Sequence, residues 1–325
     1  MKDVFTQNAV PNPALLLAPM EGVTGPVFRE LIDQIGGMDL VATEFVRITS
    51  GRQGVKPFER FTTPLQIQLM SCEAKTLKES IVHLKAKEVL FEHDWLDLNV
   101  GCPSKRVTSH GAGSALLLTP KVLLNISSAM REAHPEGKLS IKTRLGYNSE
   151  EDFAEILRVL ADCPLDFVTI HARSKAAKYE GPIHFDKLAQ AVETLPYPVI
   201  GNGDIWTPED ARSMLKNTGV RGLMCGRGAI ANPFLFLDIR HGSPVDPVAR
   251  RDALLEFARE LLYKLEARDR KRGQHIGVFK EFAGWLSQNL LIGRDFFVKI
   301  KRLTSYSEIA QALSAIRLST TELPF

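Results

Sequence analysis

Eight short apolar runs recur along this chain at intervals of about 20 to 35 residues: 14–20, 39–47, 65–70, 95–100, 139–145, 166–172, 198–203 and 222–226. Runs of this length, nearly continuous in Val, Ile and Leu and bounded by Gly, Pro or Asn, read as strands buried on both faces. Between most of them the period changes from 2 to 3.6. Leu77, Ile81, Leu84 and Ala86 share one helical face, as do Val122, Leu123, Ile126 and Met130, then Phe153, Ile156, Leu157 and Leu160, then Leu188, Ala191 and Val192. Thr207-Pro208-Glu209-Asp210 combines a capping hydroxyl, a proline at the first helical position and acids in the first turn, and Thr119-Pro120 suggests a second such start. Eight buried strands, each leading to a helix, specify an α/β fold of the (β/α)8 barrel type. The link after the second strand is the exception: residues 50–61 have little periodicity and read as a long loop over the barrel mouth.

After Pro233 the alternation stops. Asp246-Pro247 reads as a linker, and residues 254–265, 276–291, 296–303 and 307–316 read as helices. The 325 residues therefore divide into a (β/α)8 barrel, 1–243, and a small all-helical domain, 244–325. Charge divides the same way. The whole chain carries +3, but the segment from Ala249 onward holds 14 Lys/Arg against 9 Asp/Glu, leaving the barrel slightly acidic. A basic helical tail is either a solvated surface or the docking face of a polyanion.

The first residues, 1–8, have no apolar core leading to a cleavage site, and no stretch approaches the roughly 18 apolar residues of a membrane span. A cytoplasmic protein is expected, with a monomer as the default state and no obligate protein partner. The four cysteines, Cys72, Cys102, Cys163 and Cys225, are widely spaced, so neither a disulfide framework nor a metal site is signalled.

In a (β/α)8 barrel, chemistry gathers on the loops after the strands. Cys102 lies just past the fourth run, in Asp97-Leu98-Asn99-Val100-Gly101-Cys102-Pro103-Ser104-Lys105. Glycine, proline and two cations around it set it apart from a small buried apolar residue; Cys72, Cys163 and Cys225 lack such a setting and read as structural. The seventh and eighth runs end in Gly201-Asn202-Gly203-Asp204 and Gly226-Arg227-Gly228. Two adjacent glycine turns let backbone N–H groups approach phosphate oxygens, with Arg227 adding charge. Lys142 stands inside an apolar strand, where a cation needs a partner. Its partner is either an electron-rich ring whose reduced form is anionic, or an acid such as Glu44. With Gln68 and Asn202 to read ring carbonyls and N–H groups, the set suits a flavin. His171 reads equally as a flavin contact or as a satisfied core histidine.

Ala18-Pro19-Met20-Glu21-Gly22-Val23-Thr24, the Asn99-to-Lys105 stretch, Ile170-His171-Ala172-Arg173 and Gly201-Asn202-Gly203-Asp204-Ile205 together resemble the tRNA-dihydrouridine synthases. The resemblance runs from about Leu15 into the helical tail, and the Asn-x-Gly-Cys-Pro-Ser stretch is its most specific part. Met20-Glu21-Gly22 with Thr43-Glu44-Phe45-Val46-Arg47 is most similar to the bacterial C-type branch, which implies reduction of uridine 16 in the tRNA D-loop. The resemblance implies FMN as cofactor and NADPH as hydride source. It places FMN against Pro19, Met20, Glu21, Gln68, Lys142, His171, Asn202, Gly203, Asp204, Gly226 and Arg227. It makes Cys102 the proton donor to uracil C5 after hydride reaches C6, and it brings Arg47, Asn99 and Arg144 to the uridine or its phosphate. Lys280, Arg294, Lys299 and Arg302 are tail residues placed to touch tRNA. Two other classes remain open on the residues alone: an FMN barrel acting on a small molecule, which needs no basic tail, and a non-catalytic tRNA-binding protein, which needs no Cys102.

Overall fold

The computed structural model describes residues 13–242, 246–269, 273 and 275–316. Its strands are β1 (Ala14–Leu17), β2 (Leu40–Ala42), β3 (Val46–Arg47), β4 (Leu65–Met70), β5 (Trp95–Asn99), β6 (Lys138–Arg144), β7 (Phe167–His171), β8 (Val199–Asn202) and β9 (Gly222–Cys225). All pairings are parallel. The barrel closes through β1, which pairs with both β2 and β9. The second apolar run makes two strands because Thr43–Phe45 leaves the ladder; β2 and β3 both pair with β4.

Period-2 alternation decides what faces where. One set of positions, including Leu15, Leu17, Ile67, Leu69, Leu98, Ile141, Val168, Ile170 and Leu223, packs outward against the helices in one continuous core. The other set points into the barrel. There Leu16, Leu40, Trp95, Phe167, Ile200 and Met224 form an apolar plug. Most of the remaining inward positions are polar: Gln66, Gln68, Asp97, Asn99, Ser140, Lys142, Thr169, His171 and Asn202. A barrel interior this polar is costly unless each group finds a partner or serves a ligand.

The barrel helices are α1 (Pro26–Ile35), α2 (Ala74–Ala86), the short α3 (Lys105–Thr108), α4 (Val122–Ala133), α5 (Phe153–Asp162), α6 (Phe185–Thr194), α7 (Pro208–Thr218), α8 (Arg227–Ala231) and α9 (Leu235–His241). Thr207 and Asp210 form the capping box of α7, as their order predicts. Thr119-Pro120 does not open a helix directly. Thr119 ends a 3-10 helix, Gly113–Leu118, and α4 begins at Val122.

The stretch 50–61 forms no helix, but neither does it roof the barrel. None of its residues lines the cavity at the mouth. Its far end is held where Arg60 pairs with Asp94 at 2.6 Å and, just before β4, where Asp33 accepts from the Thr62 and Thr63 N–H groups at 3.0 and 2.8 Å.

The tail contains α10 (Pro247–Ala267), α11 (Ile276–Leu286), α12 (Arg294–Ile300) and α13 (Tyr306–Ala315). Asp246-Pro247 is a helix start rather than a linker: Asp246 accepts from the Val248 and Ala249 N–H groups, and Pro247 opens α10. α11 stops at Leu286, short of the expected 291, because Asn289 folds the chain into a turn by accepting from the Leu291 N–H. The expected boundary between 243 and 244 lies outside the described residues, as do residues 1–8. The tail is not loosely appended. Phe257 of α10 meets Phe28 of α1 edge-on at 5.7 Å, and Phe282 of α11 joins them. Lys264 and Arg268 both pair with Glu30, and Arg268 also reaches Glu59 in the helix-free stretch at 2.8 Å. Each buried phenylalanine at this seam is worth about 1.5–3 kcal/mol. No described helix is long and apolar enough to cross a membrane.

Candidate active site

The C-terminal ends of the strands surround a cavity of about 670 Å³. The ends of seven strands and the loops after them supply its walls: Pro19, Met20 and Glu21 after β1; Phe45 after β2; Asn99, Gly101 and Cys102 at the end of β5; Lys142 and Arg144 from β6; His171 from β7; Asn202, Gly203 and Asp204 at the end of β8; Gly226 and Arg227 after β9. Among the lining residues, cations outnumber acids: Lys105, Lys142, Arg144, Lys175, Lys178 and Arg227 against Glu21 and Asp204. Such a site favours an anionic ligand.

Lys142 Nζ donates to Asn202 Oδ1 at 3.0 Å, and Asn202 Nδ2 donates to the Met224 carbonyl at 2.7 Å. Glu44 is therefore not the partner of Lys142. Glu44 instead accepts from the Gly22 N–H at 2.6 Å. Burial, then Arg144, lowers the Lys142 ammonium to about 8. His171 is held well below its ordinary value by burial and by Arg144, Lys142, Arg173 and Arg227. It is neutral at pH 7, and its buried Nε2 has no hydrogen-bond partner in the protein. Nearby, Asp204 bridges Arg173 and Arg227, the latter at 2.6 Å. The turn beneath it is strained: Gly203 has φ +133 and Asp204 has φ +46, and a Cβ on Gly203 would lie 2.6 Å from Ile183 Cδ1.

Cys102 lines the same cavity just past β5. Its N–H donates to Asn99 Oδ1 at 2.9 Å, and its carbonyl accepts from Ser114 Oγ at 2.8 Å. The thiol is half-buried. Burial, with a smaller push from Glu21, raises its pKa above the ordinary thiol value despite Arg144 and Lys142. The sulfur stays protonated at neutral pH. Arg144 is fixed by the carbonyls of Gly101, Ser174 and Lys178 at 2.9, 3.1 and 2.7 Å.

Two residues expected at the site stand off the cavity wall. Gln68 is fully buried beneath Asn99, and both ends of its amide are taken by Asp97 and Asn99. Arg47 sits half-buried on β3, its carbonyl accepting from Gln53 Nε2 at 2.6 Å. Lys280, Arg294, Lys299 and Arg302 belong to the tail, outside the cavity lining; the last three are exposed. Cys163 and Cys225 are buried, whereas Cys72 is exposed at the end of β4 with its Sγ against the His110 carbonyl, so it is not a packing residue. Tyr179 is a site residue that the sequence pattern does not mark. It lines the cavity with its ring under both Arg144, at 5.3 Å, and Arg227, at 4.8 Å. It lies on an aperiodic loop, where no local signal distinguishes it. Trp206, under Arg227 at 5.4 Å, follows the Gly203 turn closely enough that the turn itself is the available signal.

A closed parallel barrel with an anion-favouring mouth, a buried lysine and a protonated cysteine defines an enzyme-like site for an anionic ligand. The dihydrouridine synthase (Dus) family model matches residues 16–316. The tRNA-dihydrouridine(16) synthase of Ralstonia nicotianae is 33% identical over 309 residues, covering 91% of this chain and 93% of that protein. The enzyme of the same description from Salmonella typhimurium is 31% identical over 318 residues, covering 94% and 99%. Among solved structures, morphinone reductase superposes with a TM-score of 0.51 at 13% identity, covering 75% of this chain and 89% of that one. Histamine dehydrogenase from Rhizobium superposes with 0.54 at 13% identity, covering 80% and 51%. These two share the barrel fold. The chain belongs to the dihydrouridine synthase family, a family of flavin-dependent oxidoreductases.

Proposed function

We propose that this protein reduces a uridine of tRNA to 5,6-dihydrouridine, with position 16 of the D-loop as the target, FMN as the resident flavin and NADPH as the source of hydride. What supports the position is the description shared by relatives that match almost end to end. What carries the chemistry is one observation: a single cavity is lined by a protonated thiol, by the Lys142 ammonium and by His171, whose buried Nε2 has no partner in the protein.

The residues present fit a flavin. The buried His171 Nε2 has no hydrogen-bond partner in the protein and is available to a ligand's polar edge. Lys142 and Asn202 offer a cation and an amide to the polar edge of a ring, and the Gly203-Asp204 and Gly226-Arg227 turns offer backbone N–H groups and charge to a phosphate. Asp204 offsets one of its two arginines, leaving the phosphate cradle net cationic. Bound there, the flavin supplies hydride to uracil C6.

The chain's own groups do the rest. Uracil in a loop leaves its stack at modest cost and enters the cavity. Negative charge develops toward C5 and the C4 oxygen as C6 is reduced, and Cys102 gives its proton to C5. The raised pKa suits the thiol to this role, because a thiolate would have no proton to give. Asn99 holds the Cys102 backbone, and Arg144 braces the same loop through the Gly101 carbonyl. The exposed cations of the tail draw the tRNA phosphates.

The test is dihydrouridine mapping on tRNA lacking the modification, incubated with NADPH and the purified protein. Product at position 16 is expected. Product at another uridine would retain the enzyme and discard the position; no product from a flavin-loaded, NADPH-reducible protein would discard the tRNA substrate.

A further inference from the structure

A directed line of hydrogen bonds runs up the barrel interior to the Cys102 loop. Gln68 Nε2 donates to Asp97 Oδ2 at 2.7 Å, Asn99 Nδ2 donates to Gln68 Oε1 at 2.8 Å, and the Cys102 N–H donates to Asn99 Oδ1 at 2.9 Å. The Gly101 N–H shares the same Asn99 oxygen at 3.2 Å. Both side-chain amides are symmetric in shape but not in polarity, so either could turn over. The two ends of the line forbid it. A backbone N–H can only donate, and a carboxylate can only accept. With both ends fixed, every link has one allowed direction.

The far end is secured as well. Ser140 Oγ donates to Asp97 Oδ1 at 2.6 Å and itself accepts from Gln66 Nε2 at 2.8 Å, so both carboxylate oxygens are engaged. Asp97, Gln66 and Gln68 are all buried inside the barrel, away from the cavity wall. The cation facing Asp97 is Lys142. Nothing in the reduction itself requires an acid at this depth.

We propose that Asp97 is a positioning residue for the proton donor: as an acceptor at the base of the line, it sets the orientation of the Gln68 and Asn99 amides and so anchors the Cys102 loop over the cavity. The assignment rests on the reading of Cys102 as the acid. Without the acceptor, the Gln68 amide can turn and set its NH2 against the Asn99 NH2, so Asn99 loses the acceptor beneath it and the thiol is held less firmly. An asparagine at 97 keeps the function, because its oxygen accepts from Gln68 while its NH2 donates to Ser140 Oγ.

The test uses the flavin-loaded protein without tRNA, alkylated with iodoacetamide, with the rates at Cys102 and Cys72 read separately by mass spectrometry. Cys72 is exposed and outside the line, so it serves as an internal standard. In Asp97→Leu the Cys102:Cys72 ratio is expected to rise about fivefold, the factor that about 1 kcal/mol of weakened anchoring gives. Asp97→Asn, which removes the charge facing Lys142 but retains the acceptor, is expected to stay near wild type. Gln68→Met, which cuts the line at its middle, is expected to match Asp97→Leu and replaces it if the leucine variant does not fold. Single-turnover tRNA reduction should fall in the variants with a raised ratio while the KM for tRNA holds. An unchanged ratio in a folded Asp97→Leu or Gln68→Met protein overturns the proposal. So does an equal rise in Asp97→Asn, which would assign the effect to charge. Normal tRNA reduction by Cys102→Ala would instead overturn the acid reading, and the alkylation ratio would still report on the line.

Discussion

Lys142 and Asn202, on strands separated by β7, meet in the cavity at the barrel mouth with Nζ 3.0 Å from Oδ1. The contact gives the buried ammonium a neutral hydrogen-bond acceptor, with Asp97 the acid that faces it. Its proton is accordingly weakly held, with the pKa lowered to about 8 chiefly by burial.

That value has a consequence for ligand affinity. An anionic ring beside Lys142 binds best while the lysine is charged, so affinity for reduced flavin is expected to be greatest below pH 8 and to weaken as pH rises through it. Lys142→Met should flatten this dependence. Anaerobic spectroscopic titration of reduced flavin between about pH 6.5 and 9.5 checks both parts, and an equally steep decline in the variant would remove Lys142 as its cause.

Cys102→Ala should bind flavin and accept electrons from NADPH as wild type does, while single-turnover reduction of tRNA slows by about 10²–10⁴-fold. The pH profile is set by the raised thiol pKa. The acid form is the active one, so the rate attributable to Cys102 should persist through neutral pH and fall only at a pH above the ordinary thiol range.

Gly203→Ala places a Cβ 2.6 Å from Ile183 Cδ1 on a backbone with φ +133. The expected cost is about 1–3 kcal/mol of stability, with loss of bound flavin because the turn that offers its N–H groups must shift. Thermal melting and the flavin content of the purified variant are the measurements.

Replacing Lys299 and Arg302 together by alanine should raise the KM for tRNA and leave single-turnover reduction at saturating tRNA unchanged. Both side chains are exposed on the tail, so stability should not change. If both meet phosphates of a loop, the slope of log affinity against log salt should shrink by about 0.7 for each phosphate no longer neutralised. An unaltered slope would place the tRNA elsewhere.

Phe257→Ala should cost about 3–5 kcal/mol, because its ring fills the seam between α10 and α1 against Phe28 and Phe282. Unfolding that remains a single transition would show that barrel and tail melt together, as the continuous core implies.

The eight strand-forming runs, the capping box at Thr207 and most of the site-bearing strand ends are legible from period and turn chemistry, because buried strands and helix starts are written in local sequence. Cys102, Lys142, His171 and the Gly203 turn are visible for the same reason: each breaks a local pattern. Tyr179 breaks none and stays hidden. Gln68 is visible as polar but not in its true place, since a residue's inward face can be inferred from alternation while its depth depends on the stagger between strands. The tail's helices can be read, but not their docking, and Asp246-Pro247 serves equally as a linker or a helix start until the helix beyond it is packed.

Sequence alone determined the barrel, the helical tail, the family and the chemical groups at the mouth, because each rests on short-range periodicity or on a contiguous motif. Only the tertiary structure decided that Lys142 answers to Asn202 rather than Glu44, that Asp97, Gln68 and Asn99 form one directed line under Cys102, and that α10 is fused to α1. Those relations join residues far apart in the chain through barrel closure and side-chain packing, and hydrogen-bond direction is settled only when both ends of a line are in place.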